Sequence, residues 1–408
     1  GSAAMLDQAK AILLSFLPHR ALRLASLEYA VEAMPQDTNL GAPRWSRERK
    51  YVEEYLERAR SIESWEEIWP YTLFRRGQPT GEAVAKRRHV FGADHCETIL
   101  SKTIIDPLVS ALRVLPGFSG WNSQDHVDRS MTGLLQYAVR NQFTIVSGDY
   151  SKFDSSLLRA FTDIAFDAIE WWFEPRAARR INLLREAFCQ TPLICPDGVW
   201  YGRNGAVPSG SGETNMIDSL CNLLAAFYVS LVVGANLERY EVLGDDSVFV
   251  WDVDIHEELE DLMTEVHLTM NREKQFISDS GCHYLQRWHS IDYMVGGICH
   301  GVRSPFRALN GMMSYERLRS GWNKYMDSAR WIMQAENVRW DKRFNHFVGL
   351  MKKGDEVLSS GMDPVEVFAR AGGATKIRSV LGIDSFPFNV KNPEGVETFF
   401  TTRVLRGL

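Results

Sequence analysis

The sequence predicts an α+β fold, and three stretches carry that prediction. Val242-Leu243 and Val248-Phe249-Val250-Trp251 are short β-branched and aromatic runs on either side of Gly244-Asp245-Asp246, the pattern of two strands joined by a tight turn. Ile145-Val146-Ser147-Gly148 is a third run of this kind and leads into Asp149. From Arg303 onward the chain turns helical and basic.

Composition bounds what such a fold can do. The chain has 408 residues, enough for two or three lobes and a sizeable core, with the 45% hydrophobic and 24% charged content of a soluble globular protein. A net charge of −6 excludes nonspecific nucleic-acid binding by the whole surface, so any nucleic acid must meet a locally basic channel. The six cysteines (Cys96, Cys189, Cys195, Cys221, Cys282 and Cys299) form no C-x2-C pair, which reads as reduced thiols, a cytosolic setting and no structural zinc. The apolar run from Leu223 to Gly234 is too short to span a bilayer, and no signal peptide is visible. Gly1-Ser2-Ala3-Ala4 before Met5 has the look of a cloning remnant. No repeats or low-complexity tracts occur.

The chemistry sits in carboxylates. Asp245 and Asp246 are adjacent on a turn and repel one another unless a cation lies between them. Asp149 ends a strand, with Asp154 five residues later. Strands converging on such acids can hold two divalent ions about 3.5–4 Å apart, an arrangement that clamps the attacking and leaving oxygens of a phosphoryl transfer. Pro208-Ser209-Gly210-Ser211-Gly212-Glu213-Thr214 is a Gly/Ser loop opening a helix from about Asn215 to Val233, suited to close approach of backbone to a phosphate or base.

The order D-x4-D, then S-G-x3-T, then G-D-D resembles motifs A, B and C of viral RNA-dependent RNA polymerases. Pro208-Ser209-Gly210-Ser211 with Asn222 further along resembles the picobirnavirus and partitivirus type, from viruses with double-stranded RNA genomes. The resemblance implies a right-hand polymerase of fingers, palm and thumb, with an antiparallel palm sheet and a mainly helical thumb. It implies two Mg²⁺ or Mn²⁺ ions at Asp149 and Asp245, with Asp246 assisting.

The elements follow in chain order. Residues 5–34 read as a packed helical pair, and Gln36 to Pro43 breaks it with turn chemistry. That loop resembles motif G, which implies template contacts at Asn39, Gly41 and Pro43. Residues 46–62 read as an exposed charged helix. Arg75, Arg76, Lys86, Arg87, Arg88 and Lys102 outweigh Glu82, Asp94 and Glu97 over residues 71–103. Within this stretch Lys86 to Gly92 alternates as a strand and resembles motif F, so Lys86 and Arg88 are the expected holders of the nucleoside triphosphate. Residues 104–144 read as two helices around Pro116-Gly117, and residues 155–173 as an amphipathic helix. Residues 176–206 combine a basic helix with a hairpin, Leu193-Ile194-Cys195 and Val199-Trp200-Tyr201 around Asp197-Gly198.

An acidic helix over 256–268 follows the Gly-Asp-Asp turn. Leu268 to Lys274 resembles motif D, which implies that Lys274 protonates the leaving pyrophosphate. Cys282 to Trp288 lies where motif E grips the growing strand; Cys282-His283 has no second ligand pair nearby and is not a metal site. Over 303–353 eleven Arg and Lys face four acids, a charge that suits a thumb tracking a duplex backbone. The tail from Asp384, with Phe386, Phe388, Phe399 and Phe400, must dock somewhere to hide those aromatics, and whether it folds back toward the cleft as a plug stays open.

Sugar choice needs a reader for the 2′-hydroxyl. The resemblance puts Asp154 in that role, with Ser209, Gly210 and Thr214 also facing the nucleotide. The family's usual partner is an Asn four residues after the motif B Thr, where this chain has Asp218. The expectation is that Asn222 donates to Asp154, directly or through a water, and that Asp218 turns aside toward Ser209 or a loop amide, because two carboxylates would repel.

The domains expected are N-terminal helices and fingers (1–144), palm with motif A (145–175), a fingers insertion (176–206), palm with motifs B to E (207–300) and thumb with tail (301–408). The expected activity is template-directed RNA synthesis, replicating and transcribing a viral genome. Its partners are the RNA template, nascent RNA, NTPs and, in the virion, capsid protein. The protein is expected to be a monomer off the membrane, in the virion interior and host cytoplasm. Two other readings stay open. A reverse transcriptase shares the palm acids but usually carries an aromatic and a variable residue where this chain has Leu243-Gly244. A catalytically inactive palm scaffold would have lost acids that are all present here.

Overall fold

The computed structural model describes residues 2–35, 38–78, 86–271, 275–314, 320–381 and 395–408, the side chains of 76–78, 86, 87, 378, 379 and 381 excepted. The chain divides into two compact units. One holds residues 1–75, 89–285 and 290–299; the other holds 76–88, 286–289 and 300–408.

Eight strands organise the first unit and its margins: β1 (Tyr71–Gln78), β2 (Lys86–Gly92), β3 (Ile145–Gly148), β4 (Leu193–Cys195), β5 (Gly198–Trp200), β6 (Leu237–Leu243), β7 (Asp246–Trp251) and β8 (Phe276–Ser278). One sheet runs β8-β3-β7-β6, antiparallel throughout, with Val146 opposite Phe249 and Gly148 opposite Ser247. Successive side chains point to opposite faces, and both faces are buried. Val146, Val242, Phe249 and Trp251 join the main core with the Thr214–Val233 helix. Ile145, Val248 and Val250 join Val127, Met131 and Leu135 of the Gln124–Asn141 helix, with Cys282 and Tyr284. The sheet is therefore the middle layer between two helical layers, which fixes its register, since a one-residue slip would exchange the two faces.

The second sheet runs β2-β1-β4-β5. Cys195 pairs with Gly198, so the β4–β5 turn is Pro196-Asp197, one residue earlier than the sequence suggests. The Thr214–Val233 helix is mostly apolar and buried from Met216 to Ser230, as expected for a core helix. By length and composition it could also cross a membrane, so the shorter apolar run noted in the sequence understates it. Two N-terminal helices form, Ser2–Leu14 and Leu27–Glu32, but not as a pair. The first packs on Thr214–Val233 and on Arg159–Trp172, the second on His95–Leu112 and on Val52–Ser61.

The second unit is helical, built around Met326, Ile332, Met333, Phe347, Val348, Met351, Leu358 and Phe368. Phe399 belongs to this core and is 2% exposed. The buried Glu336 carboxylate accepts from Thr401 N at 2.9 Å and Thr401 Oγ1 at 2.8 Å, fastening the last helix, Phe400–Leu405. The last residues thus pack within this unit; Asp384, Phe386 and Phe388, on which a plug would depend, lie outside the described residues. Some of the expected basic thumb surface is also structural. Arg330 is buried and donates to the carbonyls of Gly311 and Met312, and Arg339 pairs with Glu336 at 3.5 Å.

Candidate active site

The β6–β7 hairpin turns through two residues, Gly244 and Asp245, because Leu243 pairs with Asp246. Gly244 alone of the two has positive φ, 63°, the conformation that a first-position glycine supplies in a tight hairpin turn. Asp245 stands exposed at the apex and Asp246 begins β7. On the neighbouring strand Gly148 pairs with Ser247, so the next residue, Asp149, emerges at the same sheet edge. The Asp149 carbonyl accepts from Asn271 N at 2.8 Å, which fixes where the chain leaves the strand.

Asp246 is half-buried and accepts from Leu285 N at 3.0 Å. Its carboxyl is nevertheless pushed up to about 7, first by lost solvation and then by the charges of Asp245 and Asp149. Three carboxylates thus share one sheet edge, where the charges of Asp245 and Asp149 act on Asp246. Among the described residues no group of three or more acids, histidines and cysteines is placed to hold a metal ion by itself. An open edge of hard oxygen donors still fits Mg²⁺ or Mn²⁺, since magnesium is commonly held by one or two carboxylates with substrate phosphates and water completing the shell.

The Thr214–Val233 helix holds the turn. Asn222 Nδ2 donates to Gly244 O at 3.1 Å, and Gly244 N donates to Ser219 Oγ at 2.7 Å. Asn222 Oδ1 accepts from Tyr150 OH at 2.9 Å. Asn222 is fully buried and its amide is engaged at both ends, so it does not face Asp154 as the sequence reading expected. Asp218 takes that place. It is 5% exposed, and its carboxyl meets that of Asp154. Burial first and then Asp154 hold Asp218 well above the usual carboxylate range, which favours its protonated form. A protonated carboxyl beside Asp154 removes the need for the separate donor that the repulsion argument required.

The Gly/Ser loop is tied to the other sheet rather than open. Ser209 Oγ donates to His89 O and accepts from Phe91 N, each at 3.3 Å. A Cβ on Gly210 would stand 1.7 Å from Phe91 O, so only glycine fits there. Thr214 Oγ1 donates to Pro208 O at 2.6 Å. Glu213 is buried among Ser101, Ser211 and Glu97, and Glu97 accepts from Tyr71 OH at 2.8 Å. Burial and then Glu213 push Glu97 up to about 8.

The remaining expected residues are placed as follows. Arg88 is exposed on β2, while the Lys86 side chain and Lys274 lie outside the described residues. Asn39 uses its side chain within its own loop, accepting from Gly41 N at 2.8 Å and donating to Trp45 O at 3.0 Å. Gly41 is buried against Ala93 O, and Pro43 follows a cis peptide bond. Sequence reading missed Asn215, Ser219 and Tyr150. Asn215, Asp218, Ser219 and Asn222 recur at i, i+3, i+4 and i+7 as a polar stripe on an otherwise apolar helix, a visible signal of a buried polar contact.

A strand-end acid beside a Gly-Asp-Asp hairpin, backed by a helix that clamps the turn, defines the palm of a right-hand polymerase. The chain belongs to the viral RNA-dependent RNA polymerase family, whose sequence profile matches residues 19–340. It is 28% identical over 355 residues to a potential RNA-dependent RNA polymerase of human picobirnavirus, covering 82% of this chain and 65% of that protein. It is 26% identical over 227 residues to an RNA-directed RNA polymerase of Cryptosporidium parvum virus 1, covering 52% and 42% of the two chains. Among solved structures, the insertion-loop deletion mutant of a human picobirnavirus RNA-dependent RNA polymerase is similar over 99% of this chain and 78% of its own, with TM-score 0.80 and 25% identity. The intact form of that enzyme gives TM-score 0.81 at 24% identity, over 99% and 79% of the two chains.

Proposed function

We propose that the chain carries out template-directed RNA synthesis, in which an RNA 3′-hydroxyl attacks the α-phosphorus of a ribonucleoside triphosphate and pyrophosphate leaves. The observation that carries this is the convergence of Asp149 with Asp245 and Asp246 at one sheet edge, where Asp245 and Asp149 raise the cost of ionising Asp246. Asp149 and Asp245, with Asp246, would hold two Mg²⁺ or Mn²⁺ ions, which when bound neutralise developing charge on the phosphoryl oxygens. The rest is positioning, which supplies most of the catalysis where little covalent work is needed.

In this reading Ser219 and Asn222 hold the turn so that Asp245 is presented without reorganisation. Asp154, with Asp218 beside it, faces the ribose and selects ribonucleotides. Lys86 and Arg88 meet the triphosphate, Lys274 supplies a proton to the leaving pyrophosphate, and the Asn39–Pro43 loop borders the template. Ser209 and Gly210 brace strand β2 and contribute to the nucleotide site through backbone position. The setting proposed is replication and transcription of a double-stranded RNA genome by a monomer, in the virion interior next to capsid protein and in the host cytoplasm. Incubating the protein with an RNA template, labelled NTPs and Mg²⁺ tests this: template-length RNA supports it, and preferential use of dNTPs would move the chain to the reverse transcriptases.

A further inference from the structure

Asn215 lies one helical turn before Asp218 and is exposed. Its orientation is nonetheless fixed. The Trp121 indole N–H, which can only donate, bonds to Asn215 Oδ1 at 2.9 Å. The amide therefore cannot flip, and its two N–H donors point away from the indole. A Cβ on Gly244 would stand 3.3 Å from Asn215 Nδ2, so those donors lie against the turn that presents Asp245. Among the described residues nothing accepts from them. A neutral donor suits this place. Beside Asp149, Asp245 and Asp246 an acceptor would add repulsion, and a lysine would compete with a cation for the carboxylates.

We propose that Asn215 positions the end of the growing RNA strand by donating to an acceptor oxygen on the sugar–phosphate backbone of its terminal nucleotide. The inference rests on the polymerase reading given above. Asp154 and Asp218 mark the incoming sugar, and Asn215 is displaced from Asp218 by three residues, about 4.5 Å along the helix axis. The nucleotide that reacts with the incoming one is its neighbour, so a donor one turn away meets that neighbour rather than the incoming triphosphate. Trp121 acts through Asn215 as a positioning residue.

Primer extension with the full chain tests this, reading apparent KM for the primed RNA and for NTP separately. Asn215→Ala should raise the KM for primed RNA about tenfold, one lost hydrogen bond, and leave the KM for NTP within about twofold. Asn215→Asp, which keeps the acceptor for Trp121 and loses the donors, should do at least as much. Trp121→Phe should give a smaller rise, because the freed amide can flip. A primer ending in a 2′-deoxynucleotide identifies the acceptor. If it is the 2′-oxygen, the deoxy end weakens wild type and leaves Asn215→Ala unchanged; if it is a phosphate oxygen, both lose the same factor. A rise in the KM for NTP alone, or no change in either, overturns the inference. Wild type that makes no RNA with or without a primer fails the polymerase reading instead, and wild type that makes RNA only without a primer overturns the inference alone, so the two failures are distinct.

Discussion

The side-chain amide of Asn222 donates to the carbonyl of Gly244 at 3.1 Å, tying a buried helix to the hairpin turn that carries Asp245. Removing it leaves a buried carbonyl and the Tyr150 hydroxyl without this partner, each worth about 1–3 kcal/mol. Asn222→Ala should therefore lower stability by roughly 2–4 kcal/mol in denaturant unfolding. It should also reduce kcat while leaving the preference for NTP over dNTP unchanged. A changed sugar preference would show that Asn222 reads the ribose after all.

Asp218 carries the opposite expectation. Its carboxyl lies beside that of Asp154 and is held well above the usual carboxylate range, and an amide in the same position supplies the donor that a protonated carboxyl would. Asp218→Asn should keep the ribonucleotide preference, while Asp218→Ala should lower the ratio of kcat/KM for NTP over dNTP by about tenfold. Equal losses in both variants would mean that the carboxyl does something an amide cannot.

The loop between the two sheets depends on close approach. Gly210→Ala puts a methyl group where only 1.7 Å separates it from Phe91 O, and both partners are backbone. The strand or loop must shift, at a cost of about 1–3 kcal/mol, and polymerisation should fall at least tenfold. Ser209→Ala loses two bonds of 3.3 Å and should cost about 1 kcal/mol. Thermal denaturation and single-nucleotide incorporation measure both, and equal effects would contradict the packing argument.

Glu97 makes stability depend on pH in a direction fixed by its environment. Buried beside Glu213, it is pushed up to about 8 from a usual value near 4.5. The folded chain keeps this proton where the unfolded chain has lost it. Its contribution to stability is full below about pH 4.5, declines as pH rises, and is lost by about pH 8. Glu97→Gln keeps an acceptor for Tyr71 OH and removes the titration. Its Tm should exceed that of wild type at pH 8 by several degrees, with the gap closing toward pH 5. A gap that widens on acidification would reverse the assignment.

Much of the candidate site's acidic edge was legible in the sequence because short-range chemistry dictates it. Gly244 with adjacent acids between two apolar runs can scarcely be anything but a hairpin, and Asp149 at the end of Ile145–Gly148 completes the edge once β3 pairs with β7. What escaped was set by tertiary contact. Whether Asn222 or Asp218 meets Asp154 turns on a few tens of degrees of helix rotation and on a proton that spacing cannot reveal. The bonds of Ser209 to His89 and Phe91 could not be read because these partners are more than a hundred residues away in sequence. The packing of Phe399 could not be read because nothing in its own segment announces Glu336 as the anchor of the last helix.

The most direct test of the account is RNA synthesis on an RNA template with NTPs and Mg²⁺ by wild type, Asp149→Ala and Asp245→Ala side by side. Wild type should give template-length product that disappears when the cation is chelated. Each variant should fall below a few per cent of that yield while melting near the wild-type temperature, because Asp245 is exposed and Asp149 half-exposed. Turnover retained in either folded variant would contradict the claim that these two acids form the catalytic edge.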